Sequence, residues 1–177
     1  MILETTRLII RPIRPEDKNE IFKYRSDKEV NKYQGWIPRT LEDVEIFIDK
    51  VAKHINEPGS WFQFVIIEKE SQKIIGDLGL HFLDSENKQV EIGCTLDIDF
   101  HNKGYATESL RRVIEYVFRE LGKHRITTSI DPDNTNSIRL MERLGFRKEA
   151  HFVESLFVNG KWTDDLVYAL LAREWKF

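Results

Sequence analysis

His101-Asn102-Lys103-Gly104-Tyr105-Ala106-Thr107-Glu108 separates two segments of different period. Upstream, Val90, Ile92, Cys94, Leu96 and Ile98 alternate with Glu91, Gly93, Thr95, Asp97 and Asp99. That is a strand with one apolar face and one polar face rich in carboxylates. Downstream, Leu110, Val113, Ile114, Val117, Phe118 and Leu121 recur at helical spacing, and Gly122 stands where a helix end takes a glycine. The pattern predicts a helix over 105–121. A short loop feeding a helix start presents backbone N–H groups with no intrahelical partner, and so forms an anion site. Gly104 and Ala106 place no bulk between those amides and a ligand. The stretch reads as the seat of a pyrophosphate.

The totals bound what that pyrophosphate can belong to. The chain has 177 residues, enough for one domain with a real core, and no linker, repeat or low-complexity segment divides it. Its formal charge of −3 excludes the broad basic field of a nucleic-acid binder. The N-terminus carries charge early and has no long apolar run, so neither a signal peptide nor a membrane span is expected. One cysteine, Cys94, excludes an internal disulfide and fits a reducing compartment; a cytoplasmic protein is expected.

Working outward, Thr6–Arg14 reads as a strand with Pro12 near its end, and Pro15-Glu16-Asp17 as a helix start carrying Ile21, Phe22 and Tyr24 inward. Asn31 to Pro38 is an aromatic loop holding Tyr33 and Trp36. Thr40-Leu41-Glu42-Asp43 resembles a capping box, and Val44, Phe47, Ile48, Val51 and Ile55 extend the helix to a stop at Glu57-Pro58-Gly59-Ser60. Strands follow at Trp61–Lys69 and Ile74–Phe82; Gly76 and Gly79 inside the second suggest a bulge or a close approach. After the helix come a strand at His124–Ile130, turn residues Asp131-Pro132-Asp133 with Asn134 as N-cap, and a short helix over 136–144 ending at Gly145. Phe146–Val158 and Trp162–Leu171 make a hairpin across Asn159-Gly160. The order β-α-α-β-β-β-α-β-α-β-β suggests an α/β fold, a mixed sheet with helices on both faces.

These residues resemble a known family. His101-Asn102-Lys103-Gly104-Tyr105-Ala106 is similar to the Q/R-x-x-G-x-G/A loop of the GCN5-related N-acetyltransferases (GNAT). Asn134-x-x-Ser137 and Leu144-Gly145-Phe146 resemble signatures of the RimJ/RimL-type branch. So do Thr6-Arg7-Leu8-x-x-Arg11 at the start, and Gly160-x-Trp162-x-Asp164, Tyr168 and Glu174-Trp175 at the end. The resemblance covers essentially the whole chain. It implies a single GNAT-type domain, a mostly antiparallel sheet whose central parallel strands, Val90–Ile98 and His124–Ile130, splay apart around acetyl-coenzyme A.

On that resemblance the backbone at Leu96, Asp97 and Ile98 takes the pantetheine arm, and the amides of His101, Asn102, Lys103, Gly104, Tyr105, Ala106 and Thr107 take the pyrophosphate. Asn134 contacts the cofactor's amide arm. Ser137 is left to protonate the departing thiolate, because Met141 stands where many relatives carry a tyrosine. The acceptor, an amine, attacks the thioester directly. Here His101 replaces Gln or Arg, and Asn102 often replaces Gly; the second change matters if that residue needs a positive φ, which Asn tolerates better than most.

Aminolysis of a thioester needs a deprotonated amine, a polarised carbonyl and positioning of the two substrates. Glu91, on the polar face near where the strands part, is the first candidate base or substrate contact. Glu154, on a late strand, is the alternative base. Asp164 is a substrate-orienting or structural residue, and Tyr33 and Trp36 wall the acceptor pocket. His81, of opposite parity to Leu78, faces either the acceptor cleft or solvent. Glu108 complements the helix dipole. Cys94 reads as a small buried hydrophobe. The histidines show no H-E-x-x-H or i, i+4 pairing, so no metal is expected. Acceptors that fit are a protein N-terminus, a polyamine or a small amine, with no nucleic acid and no membrane involved. A homodimer through the final hairpin is the further expectation. The rival reading is a non-catalytic acetyl-CoA sensor, which Met141 keeps open.

Overall fold

Alternating strands lay down one eight-stranded sheet in the computed structural model, which describes residues 1–83, 85–158 and 160–176. The elements are β1 Leu3–Glu4, β2 Leu8–Pro12, α1 Lys18–Arg25, α2 Leu41–Lys50, β3 Trp61–Glu68, β4 Ile74–Phe82, β5 Gln89–Leu96, α3 Tyr105–Arg119, β6 Arg125–Ile130, α4 Thr135–Arg143, β7 Arg147–Val158 and β8 Lys161–Leu171. The spatial order is β1-β2-β3-β4-β5-β6-β8-β7. Among the described pairs only β5 and β6 run parallel; every other neighbour is antiparallel. Of the hairpin turn, Asn159 lies outside the described residues, and Gly160 has φ +83°.

The two faces of the sheet sort by parity. Phe62, Phe64 and Ile66 of β3, Leu78, Leu80 and Phe82 of β4, and Val90 and Ile92 of β5 pack with Leu110, Val113, Ile114 and Val117 of α3 and Met141 of α4. On the opposite face Val65 packs with Ile21, Tyr24, Val44 and Ile48 under α1 and α2. One extra residue, Ile75, sits in β4 where the register steps from Ile66↔Gly76 to Ile67↔Ile74. Gly76 beside it is a true close approach: a Cβ there would stand 2.3 Å from the Thr95 carbonyl oxygen of β5. The sequence reading of a bulge or close approach holds on both counts.

Three expectations change. The second helix stops at Lys50, not near Glu57. Val51 turns to ψ 148°, Ala52 gives its N–H to the Trp61 carbonyl, and the Lys53 ammonium donates to the Ile48 carbonyl. Val51 and Ile55 kept helical spacing because both still pack inward from an irregular connection. Ile98 is 53% exposed, because the strand ends at Leu96 and a single 3₁₀ turn, Ile98–Phe100, follows. β1 is an added edge strand of two residues, too short to show a period. The Thr40–Asp43 capping box forms as read, with the Thr40 hydroxyl accepting from Asp43 N at 3.2 Å and the Asp43 carboxylate accepting from Thr40 N at 2.9 Å.

The face under α1 and α2 contains a charged centre. Asp77 of β4, 1% exposed, accepts from Tyr24 Oη at 2.6 Å, from Arg25 Nε at 2.7 Å and Nη2 at 2.5 Å, and from Gln63 Nε2 at 2.5 Å. Burial disfavours the Arg25 charge, but the adjoining carboxylate outweighs it and the guanidinium pKa is raised. Burial, with Asp77 second, drives the Tyr24 phenol well above its usual range. These bonds pin α1 to the middle of the sheet. Asp77→Ala would leave Arg25 buried and unpaired, and is expected to cost about 3–5 kcal/mol in urea unfolding. The apolar double replacement Arg25→Met/Asp77→Leu is expected to cost far less.

Candidate functional site

The parallel ladder between β5 and β6 is short. It runs Gln89↔Arg125, Val90↔Ile126, Glu91↔Thr127 and stops. β6 continues to Ile130 paired only with β8, and β5 continues to Leu96 paired only with β4. Gln89 accepts from Leu83 N and Asp97 donates to Ile75 O, so odd-numbered backbone groups of β5 point to β4. The even-numbered ones point the other way. From Cys94 onward that side meets no strand. The Leu96 carbonyl there is within hydrogen-bond distance, 3.0 Å, of His101 Nε2. A gap edged with free main-chain donors and acceptors is what an amide-bearing arm requires.

At the mouth of this gap the chain turns twice through the left-handed region, at Asn102 (φ +59°) and Gly104 (φ +83°), before α3 begins. Asn102 does carry the positive φ that its usual glycine would. Gly104 is the N-cap and supplies no side-chain bond to the first turn, so the amides of Tyr105, Ala106 and Thr107 remain open to an anion. The Tyr105 side chain points inward, 8% exposed, and donates to Glu68; only its amide belongs to the site. The Lys103 ammonium lies 5.2 Å over the Phe100 ring.

The loop is clamped by residues whose part was not legible. Glu108 accepts from Thr5 Oγ1 at 2.5 Å, from Arg7 N at 3.0 Å and from Arg7 Nε at 2.7 Å. Arg7 also donates Nη1 to the Lys103 carbonyl at 3.0 Å and covers the Tyr105 ring at 4.3 Å. Burial works against the Glu108 charge, but the Thr5 and Arg7 hydrogen bonds outweigh it and hold the carboxyl below its usual range. Glu108 does more than complement a dipole: it ties the first long strand to the start of α3. The signal was the Thr6-Arg7-Leu8-x-x-Arg11 pattern, whose second arginine makes a bidentate pair with Asp17, 2.7 Å at each contact.

On the other face lies Glu91, the last residue paired across the gap, its side chain 30% exposed. Trp36 stacks on Phe47 at 4.5 Å and receives the Arg25 guanidinium at 5.4 Å, which makes it part of the α1–α2 packing; Tyr33 is half-buried beside Lys32. Asp164 accepts from Glu154 N at 2.9 Å and is 2.6 Å from His151 Nε2, and these contacts hold its carboxyl below the usual range. They fasten a bulge of β7 in which Glu154 has φ +46° and an exposed side chain. The structure therefore places Asp164 and Glu154 together at the hairpin, and Glu91 at the parting of the strands. Ser137 lies on the first turn of α4, its amide donating to the Asn134 carboxamide at 3.2 Å. Burial, then the field of Asp77, pushes the Cys94 thiol up to about 12, which leaves no thiolate for a covalent route near neutral pH.

The model of the acetyltransferase (GNAT) domain matches residues 7–147. The chain belongs to the GNAT acetyltransferase family. It is 34% identical to an uncharacterized N-acetyltransferase, p20, of Bacillus licheniformis, over 98% of this chain and 97% of that one. A crystal structure of a GNAT-family acetyltransferase from Bacillus anthracis superposes with a TM-score of 0.86 at 31% identity, covering 98% and 100%. More distant are the ribosomal protein uS5-alanine N-acetyltransferase of Escherichia coli (25%, covering 98% and 92%) and the spermidine N(1)-acetyltransferase of Vibrio cholerae (23%, covering 90% of each).

As a GNAT acetyltransferase the protein draws its acyl group from acetyl-CoA. The unpaired β5 edge and the uncapped start of α3 fit that molecule's amide arm and pyrophosphate. Met141, in place of the tyrosine acid, is 4% exposed and belongs to the main core. Among the described residues no group of three His, Cys, Asp or Glu is arranged to hold a metal. No described helix is long and apolar enough to cross a membrane. At Gly104 a side chain would be strained by φ +83°, and its Cβ would stand 3.3 Å from the Arg7 guanidinium. Gly104→Val is expected to weaken acetyl-CoA binding at least roughly tenfold by calorimetry and, through that backbone strain, to lower the thermal melt by several degrees.

Proposed function

We propose that the whole chain, 1–177, is one catalytic domain that moves the acetyl group of acetyl-CoA to a primary amine by direct attack. The observation that carries this is the ending of the β5–β6 ladder at Glu91↔Thr127. It puts a carboxylate at the apex of the gap in which the thioester carbon is expected. In this mechanism the main-chain groups from Cys94 to Leu96 and the amides of the 101–107 loop hold the donor. Glu91 takes the proton of the attacking nitrogen, directly or through one water. Ser137 supplies the proton for the leaving sulfur, with Asn134 beside it. Glu154 is the alternative base, and Asp164 the residue that sets its loop. Tyr33 and Trp36 form the wall against which the acceptor is held.

The class of acceptor is a cationic amine: a protein N-terminus, a polyamine or a small amine. Support comes from the carboxylate at the apex and from relatives named for a ribosomal-protein alanine and for spermidine. The motifs at Asn134, Ser137 and Leu144–Phe146 support a RimJ/RimL-type branch, and the single cysteine suits the cytoplasm. Phe152, Val153, Phe157 and Trp162 are each more than half exposed on the edge hairpin, and support pairing with a second copy there.

The deciding experiment follows CoA release over alanine-ended peptides, polyamines and aminoglycosides, with the mass in solution read by sedimentation. At least one amine should turn over. Glu91→Gln is expected to lower kcat about a hundredfold with acetyl-CoA affinity unchanged. CoA release unmoved by every amine would sink the reading, and a monomer would remove the pairing.

A further inference from the structure

The strand register lines up four residues across the acceptor face. Trp61 of β3 opposes His81 of β4, His81 opposes Glu91 of β5, and Glu91 opposes Thr127 of β6. Directly opposed residues project to the same side of a sheet, so the four form one row. The His81 ring lies flat on the Trp61 indole, 4.6 Å between centroids and 9° from parallel. The indole can sit there because Gly79 is bare; a Cβ on it would come 3.1 and 3.2 Å from two indole carbons. Stacking fixes the plane of the imidazole and aims one nitrogen. His81 Nδ1 is 3.6 Å from Glu91 Oε2, and the side chains are 27% and 30% exposed. A small rotation of Glu91 turns that approach into a hydrogen bond, the kind of tightening that substrate binding brings.

Glu91 is the carboxylate that faces His81 among the described residues. The other carboxylate on that face of β4, Asp77, is taken up by Arg25, Tyr24 and Gln63. Thr127 adds no charge, and Trp61 offers only its ring. Among the described residues the imidazole therefore has one acid–base neighbour, and its side chain keeps 27% of its surface in solvent.

We infer that His81 is the proton outlet of Glu91, a reading that rests on Glu91 as the base. With both substrates seated, the carboxyl that has taken a proton has its way to water covered. The lone pair of the attacking nitrogen makes the new N–C bond, the thioester C–S bond breaks with its pair on the CoA sulfur, which takes the Ser137 proton, and the N–H pair stays on nitrogen as its proton leaves. The proton passes to Glu91 Oε2 and then to His81 Nδ1. The proton on Nε2, across the ring, leaves to water in the same exchange. Glu91 is again a carboxylate, and His81, left as the other tautomer, returns to the first by exchange with solvent. Trp61 is the positioning residue that keeps the ring in plane.

The experiment compares wild type, His81→Gln, His81→Phe and Glu91→Gln in the full chain, on the fastest acceptor of the amine panel, in buffers of increasing imidazole concentration. His81→Phe keeps the stack on Trp61, so it tests the chemistry if Gln loosens the fold. Both His81 variants are expected to lose roughly tenfold or more in kcat with the KM for acetyl-CoA unchanged, and to recover turnover as imidazole rises. Adding His81→Gln to Glu91→Gln should cost nothing further. A slow Glu91→Gln beside His81 variants of wild-type rate overturns the relay and leaves the base in place. Slow His81 variants that imidazole does not rescue reduce the residue to a structural part and equally overturn it. A Glu91→Gln of wild-type rate, or a panel without an acceptor, removes the base reading and the relay with it.

Discussion

A strand in the middle of a sheet with one edge left bare is the constraint on which this molecule is built. Buried main-chain N–H and C=O groups cost on the order of 1–3 kcal/mol each when unpaired. β5 tolerates such an edge from Cys94 onward because it lies open as a gap that a ligand with amides of its own can fill. The loop that follows continues the same logic. His101 reaches back toward the Leu96 carbonyl, and after it the chain turns through two left-handed residues, so the free amides of α3 come next in line after the free edge of β5. A run of backbone that no strand pairs thus extends toward the helix start, an order that suits a donor carrying an amide arm and then a pyrophosphate.

A gap of this kind would close or slide unless its two sides were held from elsewhere. One hold is Glu108, which joins α3 to the N-terminal strand through Thr5 and Arg7 and so sets the loop's height above the sheet. The other is Asp77, buried one strand away from the gap, where its four donors lock α1 to β3 and β4. The same Arg25 that satisfies Asp77 also lies over Trp36, so the aromatic packing of α1 and α2 and the rigid side of the gap share one electrostatic centre. The two anchors act on opposite faces, the first under α3 and the second under α1 and α2.

The distribution of these features explains what could be read in advance. β5, α3 and α4 were legible because their periods are strict or their ends carry local chemistry, Gly122, Gly145 and the Asn134 cap among them, and the final hairpin because Asn159-Gly160 marks its turn. The end of α2 was not, since Val51 and Ile55 keep helical spacing while the tertiary bond from Ala52 to Trp61 ends the helix. Asp77 was invisible for a related reason: its donors lie 14, 52 and 53 residues away, and nothing local marks it. The turn before α3, a contiguous stretch, was readable in its backbone, down to the positive φ of Asn102. The proposed acceptor side, drawn from β3, β4, β5, the α1–α2 loop and the hairpin, depends on register, and register is a property of pairs.

Register also decides how the two candidate carboxylates differ. Glu154 stands in a bulge with positive φ, its amide held by Asp164 and its side chain in solvent. Such a position is adjustable, suited to contacts that vary with the acceptor. Glu91 stands in an unbroken ladder between His81 and Thr127, at the one place where β5 changes from a paired to an unpaired strand. Its backbone is fixed by both neighbours, and its side chain emerges where the donor's reactive end must lie if the free edge beyond Cys94 holds the arm. A proton acceptor has to be within about 3 Å of the atom it serves in the transition state, and rigid placement is worth more there than an intrinsically stronger base. With Glu91 as the base, the chemistry would belong to the ladder and the selection of the amine to the loop and the hairpin, a division that would let the acceptor side vary while the strand, the gap and the helix start remain the same.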